Sequence, residues 1–120
     1  MKLNEYQEMS KRTMPTVGDV IIQDGCEVVL TESLIKANYA MGISGEAGEV
    51  TDLLKKQLFH GHAIDPKKVK KELGDVMHYA AGLATLYGFT LEEVTTENID
   101  KLMKRYPEGF SSERSVNRVE

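Results

Sequence analysis

Two acidic pairs are the residues with most chemical promise. Glu46 and Glu49 are separated by two residues, and so are Glu72 and Asp75. Residues three apart on an α-helix are neighbours on one face, so each pair would set two carboxylates side by side. Two like charges ~4 Å apart, at an effective dielectric of about 20, repel by roughly 4 kcal/mol. A carboxylate withdrawn from water without a partner costs several kcal/mol more. Acids gathered on one core therefore require positive charge between them. Hard divalent cations suit oxygen ligands, and magnesium in particular keeps waters and is shared with substrate phosphates. A single E-x-x-E is ordinarily a solvated face, so the elements carrying the acids decide their meaning.

At about 100° per residue, Ile35, Tyr39, Ile43, Val50, Leu53 and Leu54 share one arc of a first long helix. Ser44, Thr51 and Lys55 lie opposite. Glu46 falls inside the apolar arc and Glu49 at its edge. A second helix repeats the arrangement. Val69, Leu73, Val76, Tyr79, Ala80, Leu83 and Leu86 make its arc, with Glu72 inside and Asp75 at the edge. The two stretches read alike, as Glu46-Ala-Gly48-Glu49-Val50 and Glu72-Leu-Gly74-Asp75-Val76. Mid-helix glycine costs about 1 kcal/mol against alanine, so close packing is expected at Gly48 and Gly74. Lysines do not answer the acids. Lys55 points away, and Lys70 and Lys71 lie on the flank or far side of their helix.

The expected fold is all-α, a bundle of about four helices in one domain spanning 1–120. A short helix over Leu3 to Thr13 is stopped by Pro15. Residues 16–30 are the least helical part, and 14–30 reads as a loop or a small hairpin, with turns at Gly18-Asp19 and Asp24-Gly25. The core covers about 31–107. Thr31 caps the first long helix, which runs to about His60 and ends in Gly61. Asp65-Pro66 starts the second, which stops at Gly88. Thr90 caps the third, with Glu92 and Glu93 at its positive end, and Pro107 ends it. Residues 108–120 form a polar tail.

The third long helix supplies donors. Leu91, Val94, Thr95 and Leu102 form its inner stripe, Asn98 and Arg105 lie on that stripe, and Lys101 is one step aside. These groups suit phosphate or sugar oxygens. Lys104 reads as a macrodipole partner at the helix end. His60 and His62 flank Gly61 and read as solvated. His78 lies off the acid arc and reads as structural or interfacial. Cys26 has no base near it. No phosphate-binding glycine loop, zinc-finger spacing or nucleophile elbow is present.

The 120 residues suffice for one domain. A net charge of -4 argues against a nucleic-acid polymer as partner but not against a mononucleotide. No apolar run approaches a membrane span, so no membrane partner is expected. The polar stretch Met1 to Thr13 is unlike a signal peptide. With a single cysteine as well, the expected location is cytoplasmic.

The stretch Gly42-Ile-Ser-Gly-Glu46-Ala-Gly-Glu49-Val50, followed by Lys71-Glu72-Leu73-Gly74-Asp75-Val76, resembles the E-x-x-E plus E-x-x-D signature of MazG-like all-α nucleotide pyrophosphohydrolases. Asn98-Ile-Asp-Lys101-Leu102-Met-Lys-Arg105-Tyr106-Pro107-Glu-Gly109-Phe110 resembles that family's stretch after the last core helix. The resemblance covers about Asn38 to Arg118. It implies that Glu46, Glu49, Glu72 and Asp75 bind magnesium, with manganese as a substitute, and carry catalysis. It implies that Asn98, Lys101 and Arg105 stand near the nucleotide and its phosphates, and that Tyr106 and Phe110 contact base or sugar. The implied activity is hydrolysis of a nucleoside or deoxynucleoside triphosphate to monophosphate and pyrophosphate, by water attack at the α phosphorus. Lys101 and Arg105 would stabilise phosphate charge. The implied assembly is a homodimer or homotetramer, with sites near subunit contacts. The chain departs from the family pattern over Pro15 to Leu30, and at His78, where a large apolar or aromatic residue is expected.

Other readings of the same residues are a non-catalytic, metal-dependent nucleotide-binding or regulatory module, a carboxylate di-iron bundle and a helical adaptor. The di-iron reading needs Glu-x-x-His pairs, and the sequence offers Asp75-x-x-His78 with His78 turned aside. Self-association is expected from the residues too. The apolar arcs are wide for so thin a bundle, and Ala80, Ala81, Gly82 and Ala84 permit close helix contact across a symmetry axis.

Overall fold

The structure, a computed structural model, describes residues 1–119. Helix α1 covers Leu3–Ser10 and runs into a single 3-10 turn, Lys11–Thr13. Strands β1 (Val20–Gln23) and β2 (Cys26–Val29) follow, then α2 (Glu32–His60), α3 (Pro66–Leu86), α4 (Leu91–Arg105) and the short α5 (Ser112–Val116). The chain is all-α apart from the small two-stranded sheet.

Local chemistry sets these boundaries. Thr31 accepts from the amide of Leu34, Asp65 from Lys67 and Thr90 from Glu93, so each long helix begins on a side-chain cap. Glu93 reaches back to the Thr90 amide and closes a capping box. Gly61 ends α2 at φ 72°, the left-handed conformation that releases the chain from the helix. The hairpin pairs Val20 with Val29 and Gln23 with Cys26. Its turn places both Asp24 (φ 50°) and Gly25 (φ 79°) at positive φ, the twist that tight hairpins favour. Val20, Ile21, Ile22 and Val29 are exposed on it.

Helices α2 and α3 form an antiparallel pair, and α1 lies across α3 and the start of α4. The buried set is small: Ile35, Tyr39, Ala81, Gly82, Ala84 and Leu91, joined by Gln7. Tyr6 packs against the Ala81, Ala84 and Leu91 cluster. Ala81 and Ala84 of α3 are therefore used inside the chain, beside Tyr6 of α1 and Leu91 of α4. Gln7 is the polar pin of this junction. Its side-chain amide donates to Thr85 Oγ1 (3.0 Å) and the Phe89 carbonyl (2.8 Å), and its oxygen accepts from the Leu91 amide (2.8 Å).

Beyond Leu91 helix α4 leaves the bundle, and every residue from Glu92 through Lys104 is exposed. The radius of gyration is 18.2 Å, against about 13–14 Å for a compact chain of this length.

Candidate metal centre

The α2–α3 pair is held by a reciprocal arrangement. The Tyr79 ring of α3 occupies the space beside Gly42 of α2, and the Tyr39 ring of α2 occupies the space beside Gly82 of α3. A Cβ on either glycine would fall far inside the facing ring. Tyr39 and Tyr79 meet edge to face, with centroids 5.5 Å apart. The close approach expected at Gly48 and Gly74 is not there, since a Cβ at either position would meet nothing within 4 Å. The acid–glycine repeat was the wrong signal for close packing. The second repeat, Tyr39-Ala-Met-Gly42 and Tyr79-Ala-Ala-Gly82, marks the true contact.

Carrying this antiparallel register along the two helices sets Glu46 level with Asp75 and Glu49 level with Glu72. Oxygens of Glu46, Glu72 and Asp75 all lie within 4.8 Å of one another. Glu46 and Glu72 are half-buried, and Asp75 is exposed. Glu49 is exposed and lies outside this trio, although its charge reaches Glu46. The crowding raises the proton affinity of Glu46 above the ordinary glutamate range. Loss of hydration is the first cause, followed by the Asp75 charge, a hydrogen bond with Glu72, and the Glu72 and Glu49 charges.

The nearby lysines are turned elsewhere. Lys56 pairs with Asp52 at 2.9 Å and Lys55 with Asp52 at 3.6 Å, which holds the Asp52 carboxyl below its usual range. Among the described residues no lysine is ion-paired with Glu46, Glu72 or Asp75. An all-oxygen, acidic donor set is the kind a hard divalent cation takes. Oxygens around one magnesium stand about 2.8–4.2 Å apart, a spacing the trio reaches with small side-chain movements. The residues present fit such an ion.

With this geometry, residues 35–110 match the MazG nucleotide pyrophosphohydrolase domain. The chain belongs to the MazG family. It is also similar to the gene 37 protein of Mycobacterium phage L5, at 37% identity over 82 residues, covering 65% of this chain and 72% of that protein. No solved structure matches. The MazG match begins at Ile35 and leaves α1 and the hairpin outside it.

The remaining expected site residues of this MazG chain sit apart from the acids. Asn98 and Lys101 line an open cleft of about 340 Å³ with Phe89, Glu93, Val94 and Glu97. Arg105 is half-buried where α4 ends, and its Nε donates to the Val119 carbonyl at 3.3 Å. The Tyr106 ring meets Phe110 with centroids 5.3 Å apart. Within one chain these groups belong to α4 and the tail, not to the acidic trio.

Sequence reasoning also missed the part played by α1. The Tyr6 hydroxyl donates to the Gly74 carbonyl at 3.4 Å. Its own proton is held more tightly, through burial first and the Asp75 charge second. His78 is half-buried, with Nε2 3.3 Å from Thr13 Oγ1 and its ring centroid 5.2 Å from that of Tyr79. The only sequence hint of this contact was an imidazole where an apolar residue was expected.

Proposed function

We propose that the chain is a magnesium-dependent nucleoside triphosphate pyrophosphohydrolase, releasing a nucleoside monophosphate and pyrophosphate. The observation that carries the reading is the crowding of Glu46, Glu72 and Asp75 oxygens within 4.8 Å, in a MazG chain, with no lysine paired to them among the described residues. Glu46, Glu72 and Asp75 form the centre of the metal-holding set, and Glu49 forms its rim. Glu46, Glu72 and Asp75 would hold the magnesium, which would supply neutralisation of phosphate charge and polarisation of the α-phosphoryl group. A carboxylate of this set accepts the proton of the attacking water. The new bond joins water oxygen to the α phosphorus, and the bond to the bridging oxygen of pyrophosphate breaks.

The rest of the site comes from a second copy of the chain, in a homodimer or homotetramer. The accessible surface is 9030 Å², roughly 2,500 Å² more than a compact monomer of this mass exposes. That excess is of the size that obligate subunit contacts bury. The α4 stripe of Val94, Ile99, Leu102 and Met103 is exposed, as are Leu54 of α2 and Leu73 of α3. Covering these faces would bring a partner's α4 alongside an α2–α3 pair. Asn98, Lys101, Arg105 and Tyr106 would then serve substrate across the subunit boundary. No described helix is long and apolar enough to cross a membrane.

A panel of ribo- and deoxyribonucleoside triphosphates with magnesium, scored for pyrophosphate release, tests the activity. Turnover that disappears in Glu72→Gln and on chelation is the expected result. Tight nucleotide binding with no turnover of any triphosphate would replace it with a binding module.

A further inference from the structure

We propose that Arg12 and His78 form a second anion-binding element, beside the acidic trio, that takes phosphate oxygens of the substrate's triphosphate. The proposal rests on the reading of Glu46, Glu72 and Asp75 as the magnesium–phosphate site.

Helix α1 and its 3-10 turn are laid along the α3 face that carries Asp75. Tyr6 touches the Gly74 carbonyl, next to Asp75, and Thr13 touches His78, one turn further on. Between them opens a cavity of about 390 Å³ lined by Met9, Ser10, Arg12, Thr13 and His78. Side chains three apart on a helix stand about 5–6 Å from one another, so His78, which lines this cavity, is the helical neighbour of Asp75.

Its lining is rich in donors. The Ser10 hydroxyl is committed to the Gln7 carbonyl at 2.9 Å. Neighbouring Lys11 is committed to Glu8 at 2.6 Å. Arg12 is different: among the described residues its guanidinium forms no ion pair. His78 is held in place by Tyr39 and Tyr79, with ring centroids 6.1 and 5.2 Å away. A planar guanidinium matches phosphate oxygens in pairs, and the His78 imidazole adds a donor when its Nε2 exchanges Thr13 Oγ1, 3.3 Å away, for a phosphate oxygen.

Charge gives the site its purpose. A triphosphate held through one magnesium keeps net negative charge and lies beside further carboxylates. Within one chain Asn98 and Lys101 of α4 stand apart from the acids. Arg12 is the cation that the fold brings to the cavity next to Asp75. The MazG match leaves Arg12 outside and includes His78, so the element joins the N-terminal segment to the family core.

The test is calorimetric titration of the full chain, in magnesium, with inorganic pyrophosphate and with α,β-methylene triphosphates of the four common bases. Arg12→Ala should weaken both ligand types by about 10- to 100-fold, the usual size of a lost charge-assisted contact, and equally for all four bases. Arg12→Lys should recover part of the loss, and His78→Gln should show a smaller loss in the same direction. Arg12 is exposed, so its variants should keep the wild-type melting temperature. Wild-type binding in both Arg12→Ala and His78→Gln would overturn the proposal. A loss confined to one base, with pyrophosphate binding intact, would also overturn it and make the cavity a nucleobase pocket. If the wild type turns over triphosphates but does not bind pyrophosphate, the proposal falls while the assigned activity stands. If it does neither, both fall together.

Discussion

Gly82 of α3 gives its missing side-chain volume to the ring of Tyr39 on α2, and one turn away Gly42 does the same for Tyr79. This exchange brings two helices close enough for their carboxylates to meet. Gly82→Ala should therefore overpack the crossing and cost about 1–3 kcal/mol, read as a fall in the denaturant midpoint. Gly48→Ala and Gly74→Ala should do the reverse. Their positions face open space, and alanine in a helix interior gains roughly 0.5–1 kcal/mol over glycine. Equal destabilisation by all three substitutions would contradict the crossing described here.

Much of the candidate site is legible in residue spacing, because helical periodicity states which side chains share a face. Glu46 and Glu72 lie inside apolar arcs by sequence and are half-buried in the fold. Thr31, Asp65 and Thr90 cap their helices because capping is decided within four residues. Periodicity does not state which face meets which. The acid–glycine repeat singles out Gly48 and Gly74, while the contact forms at the Tyr-x-x-Gly repeat. Nor does it fix the direction a helix takes after a turn. Leu91 and Thr95 mark an inner stripe on α4, yet after Leu91 the helix points into solvent until Arg105. The three-element pin at Gln7 joins residues more than 75 positions apart, a distance that local pattern cannot bridge.

The acids should make the metal-free protein pH-sensitive in a particular direction. Glu46 has a proton affinity raised above its ordinary value. Ionising it costs the folded state more than the unfolded chain, so stability falls as pH rises through the folded value and returns as pH falls toward the ordinary glutamate range. Asp52, lowered by Lys56, acts in the opposite sense and in a separate window. Its contribution is present above the ordinary aspartate value and is lost as pH falls through the depressed one. Without magnesium the melting temperature should rise on mild acidification from neutral and drop only in stronger acid. Saturating magnesium at neutral pH should raise it and flatten the first phase. Identical profiles with and without magnesium would show that the acids hold no ion.

Glu46→Gln separates stability from activity. It removes one charge from the trio, so the metal-free variant should melt higher than wild type at neutral pH. Magnesium should stabilise it less than wild type, and pyrophosphate release should fall by at least about 100-fold, the scale of losing a group central to charge stabilisation. A variant that loses turnover and stability together, with or without metal, would point to a structural role for Glu46.

The exposed stripe of α4 predicts its own behaviour. Ile99 is 57% exposed and Met103 59%, one turn apart on a helix that touches the bundle at its start. If these side chains lie against another copy, Ile99→Glu should bury a charge at that contact. Sedimentation at micromolar concentration should then show the variant shifted to monomer while the wild type remains associated. A wild-type monomer would remove the subunit contact from the proposed site.

Gln7 is the clearest test of how the N-terminal segment is fixed. It is 5% exposed and bonded to Thr85, Phe89 and Leu91 together. Gln7→Leu keeps most of the volume but removes three hydrogen bonds, leaving the Phe89 carbonyl and the Leu91 amide without this partner. Each buried polar group so stranded costs about 1–3 kcal/mol, so the denaturant midpoint should fall clearly. Because Gln7 anchors the helix that carries Tyr6 and leads into the 3-10 turn holding Arg12, hydrogen exchange should quicken over residues 3–13 before it does in α2. Uniform protection across both segments, with an unchanged midpoint, would mean that packing of Tyr6 on Ala81 and Ala84 alone secures α1.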